Sequence, residues 1–121
     1  MQKLPFALGA AALLVLACDP TQKKDFHCTA NFQTVEACTQ FHITDAEGLV
    51  ADPVCADKNG QWRSGACPTD EGGATRVAGY CLIDASGYTL SGTDAKVFFY
   101  DPPVSAAAAE AACSGNGTWV P

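Results

Sequence analysis

The chain has 121 residues, 13 of them Asp or Glu and 7 Lys or Arg, for a formal net charge of −6. That length fits one domain, and the acidic balance excludes the basic stripe with which proteins find a nucleic-acid backbone. Nearly half of the residues are apolar, but alanine supplies much of that share and large side chains such as Leu82, Ile83, Phe98 and Phe99 are sparse. A core this thin calls for covalent support.

Lys3 is followed by an unbroken apolar run, Phe6 to Leu16, which ends in small residues and falls short of the roughly 20 residues of a bilayer-spanning helix. A positive charge ahead of such a run is the pattern of an export signal. Val15-Leu16-Ala17-Cys18 at its end resembles the bacterial lipobox. The resemblance implies cleavage before Cys18, a diacylglycerol on its sulfur, and attachment to a membrane on the extracytoplasmic side. Asp19, next in line, is similar to the inner-membrane retention signal of enteric lipoproteins. The expected organisation is a signal peptide over 1–17, a lipidated N-terminus and polar tether over 18–25 (CDPTQKKD), and one domain over 26–121. Seven cysteines leave one thiol over, which in an oxidising compartment needs a special role. Lipidation of Cys18 supplies it, and Cys28, Cys38, Cys55, Cys67, Cys81 and Cys113 can then form three disulfides, as suits a small exported domain.

An internal repeat organises the rest. Setting Cys55 over Cys113 also sets Phe41-His42 over Phe99-Tyr100 and, within one residue, Asn59-Gly60-Gln61-Trp62 over Asn116-Gly117-Thr118-Trp119. Each half then comprises a cysteine, a hairpin, an aromatic strand end, a short helix ending in cysteine, a glycine turn and a tryptophan. In the first half, Thr44-Asp45-Ala46-Glu47 fits a capping box and starts a helix. Pro53 removes an intrahelical bond and crowds the Leu49 carbonyl, so that helix is expected to kink or end before Cys55. In the second half, Arg76 to Ile83, Tyr88-Thr89-Leu90 and Ala95 to Tyr100 are expected antiparallel strands, divided by Ser86-Gly87 and Ser91-Gly92. Asp101-Pro102-Pro103 stops the sheet, and Ser105 caps a second helix over Ala106 to Cys113.

The expected fold is a small disulfide-rich α+β domain: antiparallel strands with two short helices, arranged as two degenerate strand-hairpin-helix units. Six cysteines allow fifteen pairings. If the repeat holds, Cys81 pairs with Cys113, Cys28 with Cys55 by analogy, and Cys38 with Cys67 by elimination. The second half, from GYC through FFYD and the alanine helix to GNGTW, is similar over about fifty residues to small uncharacterised cysteine-containing lipoproteins of myxobacterial and spirochaete type. That likeness implies a small extracytoplasmic domain and brings no catalytic residue with it.

Reactive chemistry is scarce. His27 and His42, the only histidines, stand at neither a zinc-ligand nor a catalytic spacing and read as surface or strand-end residues. Ser64 and Ser105 lie in no nucleophile elbow. Asp57-Lys58-Asn59-Gly60 and Asp70-Glu71 lack the ligand spacing of a calcium loop and read as turns. Asn116-Gly117-Thr118 matches a glycosylation sequon, but a glycine turn before Trp119 is the simpler account. No enzyme, metal or cofactor is expected. The expected role is a structural or binding module of the cell envelope, with a protein or glycan partner and a surface drawn from Trp62, Trp119, Tyr80, Tyr88 and Phe99. The simpler account of the tryptophans is that each covers a disulfide or caps the core of its half. An alternative role is an inhibitor-like disulfide domain that offers Arg63-Ser64 or Arg76-Val77 to an exported protease. A protruding arginine loop would mark that role, an exposed aromatic patch the first.

Overall fold

In the computed structural model, which describes residues 19–121, alternating side chains zip Lys24–Phe32 (β1) and Val35–Ile43 (β2) into a hairpin. The apolar run and Cys18 lie outside the described residues. Lys24 and Asp25 belong to the sheet rather than to the tether, and the Lys24 ammonium meets the Asp45 carboxylate at 3.1 Å. Helix α1 (Asp45–Asp57) starts at the expected capping box: Thr44 Oγ1 accepts from the Glu47 amide at 3.2 Å, and Glu47 Oε1 accepts from the Thr44 amide at 3.0 Å. The chain then forms β3 (Gln61–Ser64), β4 (Asp70–Glu71), β5 (Ala74–Arg76), β6 (Tyr80–Ala85), β7 (Leu90–Phe98), β8 (Tyr100–Asp101), α2 (Ala106–Cys113) and β9 (Thr118–Val120). Ser105 caps α2 as expected, its Oγ accepting from the Ala108 amide at 3.1 Å.

Three local expectations are corrected. Helix α1 does not end before Cys55 but runs through Pro53 to Asp57. Leu49, Val50 and Pro53 face solvent, so the carbonyl that Pro53 deprives of a partner lies on the wet side, while Ala51 and Cys55 are fully buried on the other. Arg76 to Ile83 is two strands, β5 and β6, because Gly79 bends the chain at φ +89° and a Cβ there would sit 2.7 Å from the Val120 carbonyl. Of Tyr88-Thr89-Leu90 only Leu90 is in a strand, as the first residue of β7. The Asp84 carboxylate accepts from the Ser86 and Gly92 amides, at 2.8 and 3.2 Å, and pins a single 3-10 turn over Ser86–Tyr88. Strand β7 starts at Leu90 opposite Ala85, and its ladder with β6 then skips Ser91 to Thr93, a bulge with Gly92 at φ +80°, before Asp94 pairs with Asp84.

The repeat is written into the main sheet, whose order is β3-β1-β2-β7-β6-β9. Each unit contributes an outer strand, a first hairpin strand and an inner strand, and the two inner strands meet antiparallel. Thr39 lies opposite Val97, and these are the positions that the Cys55-over-Cys113 alignment makes equivalent. A pseudo-two-fold axis therefore passes between them. One row of directly opposed residues crosses all six strands: Trp62, Cys28, Thr39, Val97, Cys81, Trp119. Opposed residues share a face of the sheet, which puts both helices and both helix-anchoring disulfides on one side.

The disulfides are Cys28–Cys55, Cys38–Cys67 and Cys81–Cys113, the pairing that the repeat implies. The first and third tie the first hairpin strand of each unit to the end of its helix. The second works on the opposite face, where Cys38, Cys67, Ala74, Phe98 and Tyr100 pack together under a small sheet of order β4-β5-β8. An eight-residue helix such as α2 does not persist alone, and the loops closed here are worth about 3 to 4 kcal/mol each in the chain-entropy model.

Each helix-anchoring disulfide also needs a glycine beside it. A Cβ on Gly60 would lie 2.8 Å from Cys28 Sγ and 2.9 Å from both Ala30 Cβ and the Cys55 carbonyl; one on Gly117 would lie 2.8 Å from Cys81 Sγ and collide with the Leu82 carbonyl. Gly60→Ala and Gly117→Ala are each expected to destabilise by about 1 to 3 kcal/mol in denaturant unfolding. Gly87→Ala, where a Cβ meets open space, should stay within about 0.5 kcal/mol of the parent. Equal effects at all three positions would contradict this account of the turns.

Candidate functional site

The aromatic residues singled out in the sequence are mostly core. The Trp62 ring is half-buried, 5.5 Å from Phe26 and 5.4 Å from Phe41, and Trp119 is half-buried 6.5 Å from Phe99. Each tryptophan lies opposite the strand cysteine of its unit and caps that unit's core. Phe99 and Tyr88 do not contribute to a surface: Phe99 is fully buried and Tyr88 nearly so, because a core short of large residues draws them in. Tyr80 is half-buried against Phe98, with the Lys96 ammonium 4.9 Å from its ring. The five do not gather into one exposed patch.

Neither arginine pair forms a protruding loop. Arg63-Ser64 lies within β3, where Arg63 Nη2 donates to Gln61 Oε1 at 2.7 Å. Arg76 donates to the Cys67 carbonyl at 3.0 Å and lies 4.5 Å over the Phe98 ring, and Val77 is buried.

What the fold does present is a polar groove of about 670 Å³, lined mainly from the sheet face opposite the helices and bordered by Ala30 and by Lys58 and Asn59 at the end of α1. Its floor follows from strand register. Arg63 lies opposite His27, Gln61 opposite Thr29, and Asn31 opposite Glu36, so alternate residues of β1, β2 and β3 line one face. Its wall is the segment 65–71, which carries Ala66, Pro68 and Glu71. Several bonds fix that wall. The Gly65 amide donates to the Asp25 carbonyl at 2.8 Å, the Cys67 amide to Gln40 Oε1 at 2.8 Å, and the Tyr100 hydroxyl to the Pro68 carbonyl at 2.7 Å. The Cys38–Cys67 disulfide fastens the middle of it.

His27 departs from the expectation of a surface histidine: it is only 7% exposed. Its Nδ1 lies 2.9 Å from the Gly65 carbonyl, and since a carbonyl only accepts, Nδ1 carries the hydrogen. In the neutral ring Nε2 is then an acceptor, held in a fixed orientation in the groove lining. The surrounding amides, hydroxyl and opposed charges suit recognition through hydrogen bonds. His42 does sit at the surface, 2.9 Å from the Asp25 carboxylate. Sequence reasoning passed over the groove, although polar residues at every second position, Thr29 and Asn31 on one strand and Gln61 and Arg63 on another, are its trace in the sequence. Of Asp57 to Gly60, expected as a turn, Asp57 ends α1 and Lys58-Asn59 make the turn, with Asn59 at φ 58°; Asp70-Glu71 is strand β4 rather than a turn, and Gly72-Gly73 close it onto β5.

No protein-family model matches the chain, and neither a curated protein nor a solved structure is significantly similar to it.

Burial pushes the Tyr100 phenol above its usual value of 10, with the nearby Arg76 pulling the other way. The folded chain thus prefers the neutral phenol, and the stability this confers is complete below pH 10 and lost as pH rises through the folded value. Tyr100→Phe should lose about 1 kcal/mol at neutral pH with the Pro68 bond. Above pH 10 its stability should fall less steeply than that of the parent; an unchanged alkaline slope in denaturant titrations would refute the linkage.

Proposed function

We propose that the chain is an exported lipoprotein, attached through Cys18 to a membrane on its extracytoplasmic side, and that it holds a small binding module in the cell envelope. The observation that carries this reading is the pairing of the cysteines. Six are consumed by three disulfides, bonds that persist in an oxidising compartment, and the seventh is the one that closes the lipobox-like tetrapeptide. Among the described residues no helix is long and apolar enough to cross a membrane, and a lipid on Cys18 would supply the attachment. Strand β1 begins six positions beyond Cys18, a reach of about 20 Å at full extension, so the domain would stand close to the bilayer.

The test is intact mass of the protein purified from its native membrane, before and after reduction and alkylation, beside Cys18→Ala. A chain that starts at Cys18, carries the mass of a diacylglycerol and gains six alkyl groups only after reduction is the expected result. A soluble product without lipid, or thiols that alkylate without reduction, would overturn the proposal.

A further inference from the structure

We infer that the polar groove binds a short extended peptide of about four residues with free termini, its carboxylate at Arg63 and its amine at Glu36. Side chains on one face of β1 recur every two residues, about 6.8 Å, which is also the repeat of an extended peptide laid along the strand. Thr29, Asn31 and Gln61 both donate and accept, as a peptide backbone with alternating N–H and C=O groups requires. The lining contains no Phe, Tyr or Trp on which a sugar ring or base would stack.

Charge sets the direction. Arg63 faces His27 at one end of the floor, and Glu36 faces Asn31 at the other. From His27 to Asn31 is four steps of β1, about 13 Å, which matches an extended tetrapeptide between its end groups. Arg63 engages Gln61 through Nη2 alone, which leaves guanidinium donors for a carboxylate. Lys58 borders the groove but directs its ammonium to the Tyr88 ring, 5.2 Å away, and Glu71 adds one further acid on the wall. His27, more than nine-tenths buried and oriented by Gly65, presents Nε2 to a peptide N–H without having to be ordered on binding.

The second unit supplies an internal control. Where the first unit sets His27 opposite Arg63, the second sets Tyr80 opposite Val120. The same scaffold therefore builds an apolar strand pair in one half and a polar one that carries the Arg63 cation in the other.

The inference rests on the reading of the chain as a binding module. Its test is a ¹⁵N NMR titration of the full-length protein in detergent with tetra-alanine, with its C-terminal amide, its N-acetyl form and chitotetraose run alongside. Free tetra-alanine should shift the Thr29, Gln61 and His27 Nε2 signals. Amidation, or Arg63→Gln, should weaken binding about tenfold, with little further loss when combined. Acetylation and Glu36→Gln should behave as a second such pair. Both positions are exposed, so the variants leave the fold in place. No groove shifts at millimolar peptide, indifference to both end groups, or preference for chitotetraose would overturn the inference. Lipidation is read separately by mass, so an unlipidated protein that binds peptide sinks only the anchor, and a lipidated one that does not sinks only the ligand.

Discussion

The bond that ties the first hairpin strand of each unit to the end of its helix carries the architecture. Neither helix has an apolar face broad enough to hold itself down. Helix α1 buries only Gly48, Ala51 and Cys55, and α2 only Ala109 and Cys113, while Leu49 stands 77% exposed on the outer side of α1. Burying residues this small removes little apolar area from water, so area alone contributes modestly. A covalent clamp changes the balance, and the features around it follow from it: a glycine that lets the turn pass against the sulfur, and a tryptophan in register with the cysteine.

The pseudo-two-fold arrangement then explains where the molecule is free to differ between its halves. Residues on the row through Thr39 and Val97 serve the shared helix-bearing face, and the row's cysteines and tryptophans recur in both units. The opposite face is released from that constraint. There the first unit carries Cys38, bonded to Cys67, and the equivalent position of the second carries Lys96, whose ammonium rests by Tyr80. The segment between the units, anchored by that one extra disulfide, forms a small sheet over the middle of this face and walls the groove on one side only. Symmetry builds the support and its violation builds the site.

Much of this scaffold is legible in the sequence, because it is encoded locally or by repetition. Thr44 with Glu47, and Ser105 before an alanine run, announce their helices through capping chemistry that needs no tertiary contact. The cysteine pairing is legible once the two halves are aligned. What escapes is set by contacts between distant residues. Pro53 argues locally against helix, and burial of Cys55 with its disulfide overrides it. Gly79 divides what composition makes one strand, because Val120 approaches too closely for a side chain. Strands β4, β5 and β8 have two or three residues each, too few for any period to appear. The groove was hidden for the same reason. Its wall and floor are brought together by Gln40, Tyr100 and Cys38, each far in sequence from the residue it holds, and His27 is buried by a loop 38 residues away.

The order of the bridges along the chain gives the two halves different fates once folding is undone. Reading from the N-terminus, the partners of Cys28–Cys55 and Cys38–Cys67 alternate, so their two loops interlock; Cys81–Cys113 closes a separate ring. An oxidised but denatured chain therefore keeps residues 28 to 67 as a cross-linked knot with few ways to spread, while the second unit opens into a plain loop. The stretch that supplies most of the groove's floor and its Gly65 anchor is the part of the polypeptide that heat or denaturant can disperse least.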